Sequence, residues 1–148
     1  MKDCLLELYV SNLKISTILS SVGMSLLSAF NTQLVNLFEE LCVTFPEEKD
    51  IKMATEGIKG ARKINPRLIL DLFRDHVYKD CSEAIYARDI VHFRNIAQKK
   101  IASQFNEMIS ALVIFDKHWE TMGSKNQETI WQYLTVLCHI AEKAHTQY

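Results

Sequence analysis

Glycine and proline are scarce in this chain, four and two among 148 residues. That poverty excludes a collagen-like repeat and a Pro/Gly-rich disordered linker. Cysteine is also sparse. Cys4, Cys42, Cys81 and Cys138 are separated by 38, 39 and 57 residues, which gives neither a C-x-x-C pair nor a zinc-ribbon spacing. Cys42 and Cys138 sit inside apolar helical patterns, where a free thiol behaves as a small hydrophobe. Reduced, structural cysteines are therefore expected, as in an intracellular compartment. An excess of one charge is missing too: 17 Lys and Arg face 18 Asp and Glu, for a net charge of −1. Near-neutrality argues against a dedicated nucleic-acid-binding domain, whose pI is usually high.

Long apolar runs are absent. The Cys4–Val10 stretch is short, Glu7 and Lys14 interrupt the apolar pattern, and Asp3 falls where a basic region would stand. A signal peptide requires an uninterrupted apolar segment, so none is expected. Residues 15–39 are nearly free of charge but diluted by Ser, Thr, Asn and Gln, too polar for a membrane span of about 20 apolar residues. What is present is apolar content of 48%, and a chain of this size buries about 70% of its unfolded surface on folding. One compact domain needs no metal or disulfide to hold it.

The pattern is helical. Leu27, Phe30, Leu34, Leu37, Phe38 and Leu41 fall on one stripe of a 3.6-residue period, predicting a helix over 25–43. Thr44 and Glu47 form a candidate capping box for the next helix, 47–63. Its narrow apolar face is Ile51, Ala54, Ile58 and Ala61, and Gly57 and Gly60 weaken it or admit a close neighbour. Asn65-Pro66 marks a restart, with Asn as cap and Pro at the first helical position. Leu68, Ile69, Leu72, Phe73 and Val77 line a helix over about 66–79.

Residues 80–88 are ambiguous between a loop and a helical turn. Residues 89–119 read as a short and a long helix divided near 95–100, the long one carrying Ile101, Phe105, Ile109, Leu112, Phe115 and Trp119. Met122-Gly123-Ser124 stops it, Ser124 and Gln127 form a second candidate capping box, and a last helix runs over about 125–144, with Ile130, Leu134, Leu137 and Ala141 on one face and Trp131 and Cys138 beside it. No segment alternates with the period-two pattern of strands. The expected fold is all-α, a single compact bundle of five to seven helices. Residues 1–24 are either an extra N-terminal helix or an upstream extension before a start at Met24; residues 25–148 are the bundle.

Chemistry is hard to find. G-x-G-x-x-G, the Walker loop, G-x-S-x-G and H-E-x-x-H are all missing. Gly57-Ile58-Lys59-Gly60 is a bare G-x-x-G, which clamps nucleic acid only in a fold that contains strands. His76, His92, His118, His139 and His145 include no i, i+4 pair of the kind that holds a metal. Arg67 and Asp71 make an i, i+4 ion pair, consistent with a solvated helix face. No cofactor and no catalytic residue are expected.

Two surface features remain. Lys59, Arg62, Lys63 and Arg67 form a basic stretch that suits phosphates, unless acids are intermixed with it. Trp119, Trp131 and Tyr133 belong to the residue types enriched in interfaces. They are also ordinary packing residues.

The stretches Phe30–Leu34, Phe45–Ile51, Asn65-Pro66-Arg67, Trp119 and Ile130–Leu134 resemble small helical proteins encoded by large DNA viruses of algae and protists. The resemblance covers about residues 25–144 and transfers no functional residue. It implies a virus-encoded helical protein in the cytoplasm of an infected cell or in the virion. The leading expectation is a non-enzymatic structural or interaction protein that binds viral or host proteins through a helix face, with Trp119, Trp131 and Tyr133 as contact candidates. The alternative is a nucleic-acid-associated accessory protein using residues 59–67.

Overall fold

Ser25 opens the first helix. Its backbone is extended and its hydroxyl accepts from the Ser28 N–H at 3.0 Å, satisfying one of the N–H groups a helix start leaves unpaired. In the computed structural model, which describes residues 25–103 and 117–147, this helix is α1 (Leu26–Thr44). It is followed by α2 (Lys49–Ile64), α3 (Pro66–Phe73), a π-helical turn (Arg74–Tyr78), α4 (Lys79–Ala87), α5 (Ile90–Ser103), a 3₁₀ turn (Trp119–Thr121) and α6 (Ser124–Gln147). The described residues are all helix and connecting turn, a compact all-α bundle. The expectations for residues 1–24, and for Phe105, Ile109, Leu112 and Phe115, lie outside the described residues.

Two helices form the centre. α1 packs against α6, α2 and α3 and buries Phe30, Leu34, Leu37, Phe38 and Leu41. α6 is buried at every position from Ile130 to Cys138. A helix enclosed on all sides is a core element rather than an amphipathic cover, so the single apolar face expected for the last helix is too narrow. Gln132 and Thr135 are carried into the interior with it. Thr135 resolves its hydroxyl by donating to the Trp131 carbonyl at 2.7 Å.

The boundaries are set by local chemistry, not always the chemistry expected. Thr44 donates back to the Glu40 carbonyl at 2.8 Å within its own helix, so the Thr44–Glu47 capping box does not form and Glu48 takes the cap position of α2. Gln127 likewise turns away from Ser124 and donates to the carbonyls of Trp119 and Met122, at 2.7 and 3.2 Å. It ties the 3₁₀ turn to the start of α6. The Asn65-Pro66 restart is found with Pro at the first position, although the Asn65 side chain makes no cap hydrogen bond. The Asn31 amide reaches over from α1 and donates to the Pro66 carbonyl at 3.0 Å.

From Pro66 to Ala87 the chain is one helical rod with a π turn in its middle. The apolar residues explain the turn. Ile69, Phe73, Val77, Cys81 and Ile85 are all buried and spaced by four. In a pure α-helix each four-residue step rotates the stripe by about 40°, or about 160° across the set. One turn of i→i+5 bonding absorbs part of that excess and holds the stripe on the core. Leu68, expected on this face, is instead 42% exposed.

The rod ends at Arg88, which adopts the left-handed conformation at φ 52°. The Asp89 N–H bonds the Ala84 carbonyl and the Arg88 N–H bonds that of Ile85, a Schellman ending built without its usual glycine. Asp89 then caps α5 by accepting from the His92 N–H at 3.1 Å. α5 runs unbroken through residues 95–100, where the sequence predicts a division.

Candidate protein-interaction face

The aromatic candidates are core residues. Trp119, Trp131 and Tyr133 are 6%, 5% and 3% exposed. Trp131 meets Trp119 edge-on at 5.1 Å and Phe93 at 5.8 Å. Their surface is already spent on packing, so they form no contact patch. The type of residue signals burial or interface alike; only tertiary placement separates the two.

The basic candidates do not form a continuous positive stripe. The Lys59 ammonium lies 2.8 Å from Glu39 and 3.9 Å from Glu56, and the Glu39 hydrogen bond raises its pKa. Arg62 donates to the Thr32 hydroxyl at 3.2 Å, and Arg67 lies 3.7 Å from Asp71. Lys63 is exposed. Intermixed acids are the arrangement that argues against phosphate binding along this stretch.

Two titratable clusters were not legible in the sequence. At the α1–α2 corner, Glu48 Oε1 accepts from His118 Nε2 at 2.7 Å and from the Lys117 ammonium at 3.0 Å, across 70 residues of chain. The His118 ring stacks on Phe45 at 4.6 Å. Glu47, Glu48 and His118 bring three potential ligand atoms within 4.8 Å of one another. Lys117 already supplies positive charge to the central oxygen, so the cluster acts as a clasp fastening the 3₁₀ turn to the corner.

These hydrogen bonds, that from His118 foremost, hold the Glu48 carboxyl below its ordinary value of 4.5. A depressed folded pKa contributes stability above the unfolded value and loses it as pH falls through the folded one. Glu48→Gln is therefore expected to cost about 1 kcal/mol at neutral pH. The difference from wild type should shrink below about pH 4, as read by urea unfolding at both pH values.

The second cluster joins α4 to α6. Tyr86 stacks on His139 at 5.1 Å and donates to Glu142 at 3.4 Å. Burial pushes the Tyr86 and Cys138 groups up, Cys81 up to about 11, and His139 down. These directions describe neutral, inert groups; a reactive thiol needs the opposite shift. A hollow of about 390 Å³ beside the π turn is lined by Arg74, Asp75, Tyr78, Lys79 and Ser82. Arg74 is engaged by Asp71 at 2.7 Å.

The feature that stands out is on α2. Its inner face buries Ile51, Ala54, Thr55 and Ile58, and Thr55 meets the Cys42 thiol of α1 at 3.2 Å. Its outer face carries two exposed apolar side chains between charged flanks. Met53 is 72% and Ile64 88% exposed. Eleven residues apart, they lie within about 20° of each other around the helix. Gly57 and Gly60 fall between them on the same face. The sequence offers Gly60 as a point of close approach, yet a side chain there would meet nothing within 4 Å. Leu68, 42% exposed, follows at the start of α3. Val43 and Val91 are exposed as well, on α1 and α5, and scattered single apolar residues are ordinary. Two such residues aligned on one helix, with only glycines between them on that line, are less ordinary.

Among the described residues, no helix is long and apolar enough to cross a membrane. No protein-family model, curated protein or solved structure matches this chain.

Proposed function

We propose that this chain is a non-catalytic interaction protein that docks another polypeptide on the outer face of α2. The observation that carries the reading is the alignment of Met53 and Ile64, both mostly exposed, on the side of α2 opposite its core-facing residues. Leaving such side chains in water forgoes about 1.5–3 kcal/mol each, which a partner would recover. Two large apolar side chains exposed on one line of a helix offer anchor points for a partner. The intermixed acids around Lys59 and Arg67 favour a protein partner over nucleic acid.

A photo-crosslinking side chain at position 53 tests this, with position 91 as the exposed control. Adducts to a polypeptide from position 53 and none from 91 are expected in cells expressing the chain. Equal labelling from both positions, or none from 53, contradicts the reading.

A further inference from the structure

We infer that the partner on this face is a second copy of the chain, paired antiparallel along α2 about a two-fold axis between Ile58 and Lys59. The inference rests on the reading of α2's outer face as an interface. In a two-fold pair, residue i of one copy meets residue j of the other and j meets i. The outer face is a palindrome for that operation. With the axis between residues 58 and 59, Met53 lies opposite the partner copy's Ile64, and Gly57 opposite its Gly60. Large apolar groups meet at both ends, and the glycines meet in the middle. There they let the helices come nearer than the usual spacing of about 8–10 Å, which is set by the side chains at the contact.

Charge selects the orientation. Glu56 and Lys63 border the same flank of the apolar face, and both are exposed. Antiparallel pairing sets Glu56 against Lys63 of the other copy, offset by about 3 Å along the axis, and does so twice by symmetry. Parallel pairing would carry that flank of the two copies to opposite edges of the seam and leave Glu56 without Lys63. Lys59, the cation closest to the axis, lies farther round the helix and is drawn toward α1 by Glu39 at 2.8 Å, which limits its repulsion from its own copy.

The protomer gives Gly60 no role of its own. It lies inside a helix, where glycine is unfavourable relative to alanine, and nothing within 4 Å would collide with a Cβ. The pairing supplies the missing neighbour. The apolar face spans about 17 Å of one helix, well short of the roughly 800 Å² per partner of a standard interface. The dimer is accordingly weak and concentration-dependent.

Sedimentation equilibrium of the full chain, from micromolar to millimolar concentration, tests the inference. The wild type is expected to pass from monomer to dimer. Gly60→Leu should weaken the dimer at least tenfold, while its melting temperature at low concentration stays or rises. That separates a blocked interface from a misfolded protomer. Glu56→Lys should weaken the dimer, and Glu56→Lys with Lys63→Glu should restore it. A wild type that stays monomeric at millimolar concentration overturns the inference, as does a Gly60→Leu dimer of unchanged strength. Crosslinking from position 53 separates the two failures. A monomer that labels a different polypeptide overturns self-pairing and leaves the docking face standing; a monomer that labels nothing overturns both.

Discussion

Trp131→Ala is expected to lower the stability of this protein by about 3–5 kcal/mol, the range for deleting a buried aromatic side chain. Trp131 is 5% exposed and sits between the edges of Trp119 and Phe93. Each edge-to-face pair adds about 0.5–1.5 kcal/mol beyond the area it buries. The cavity left behind cannot close easily, because α6 is enclosed by packed residues along Ile130–Cys138. Domains of this size hold only about 5–15 kcal/mol in total. The melting temperature should therefore fall by about 10 °C, measured by thermal unfolding. Trp131→Phe, which retains a ring, should lose clearly less. A Trp131→Ala variant that melts like the wild type would place this ring on the surface, where an interface role would need it.

The second large effect is an asymmetry. The Lys100 ammonium lies 2.6 Å from Asp80 Oδ2, with Lys100 9% exposed and the Asp80 side chain 45% exposed. Removing Asp80 strands a buried cation, and breaking a fully buried pair costs about 3–5 kcal/mol. The exposure of Asp80 admits water to the site, so about 2 kcal/mol is expected for Asp80→Ala. Lys100→Met removes the charge and keeps the apolar stem, and should change stability by less than about 1 kcal/mol. Equal losses in the two variants, read by denaturant unfolding, would contradict a desolvated ammonium at this position.

Much of the fold follows from periodicity. The Leu27–Leu41 stripe, the Asn65-Pro66 restart and the Ile130–Ala141 repeat predict α1, α3 and α6 because each combines a 3.6-residue pattern with a punctuating residue. The boundaries are less legible. Thr44 and Gln127 carry capping-box spacing, but each side chain instead donates to a backbone carbonyl outside the box, and spacing alone does not reveal that competing acceptor. The π turn did leave a trace, a run of four-residue apolar steps from Ile69 to Ile85, which a search for 3.6-residue stripes passes over. Arg88 left none, since an arginine at a left-handed helix end looks like any exposed cation.

The site was the least legible part. Glu48 and His118 are 70 residues apart, and their contact depends on how the 3₁₀ turn folds back on the α1–α2 corner. The i, i+11 relation of Met53 and Ile64 is visible in the sequence. Ile51, Ala54 and Ile58 offer α2 a better core face, however, and only the packing of that face on α1 shows that the other stays exposed.

Methyl NMR on serial dilution of the labelled wild-type chain probes the outer face of α2 most directly. The Met53 and Ile64 methyl resonances should shift between millimolar and micromolar concentration, while those of Ile130 and Leu134 in the core stay fixed. Resonances at Met53 and Ile64 that do not move, or movement centred on Val91 or Val43 instead, would contradict pairing through that face.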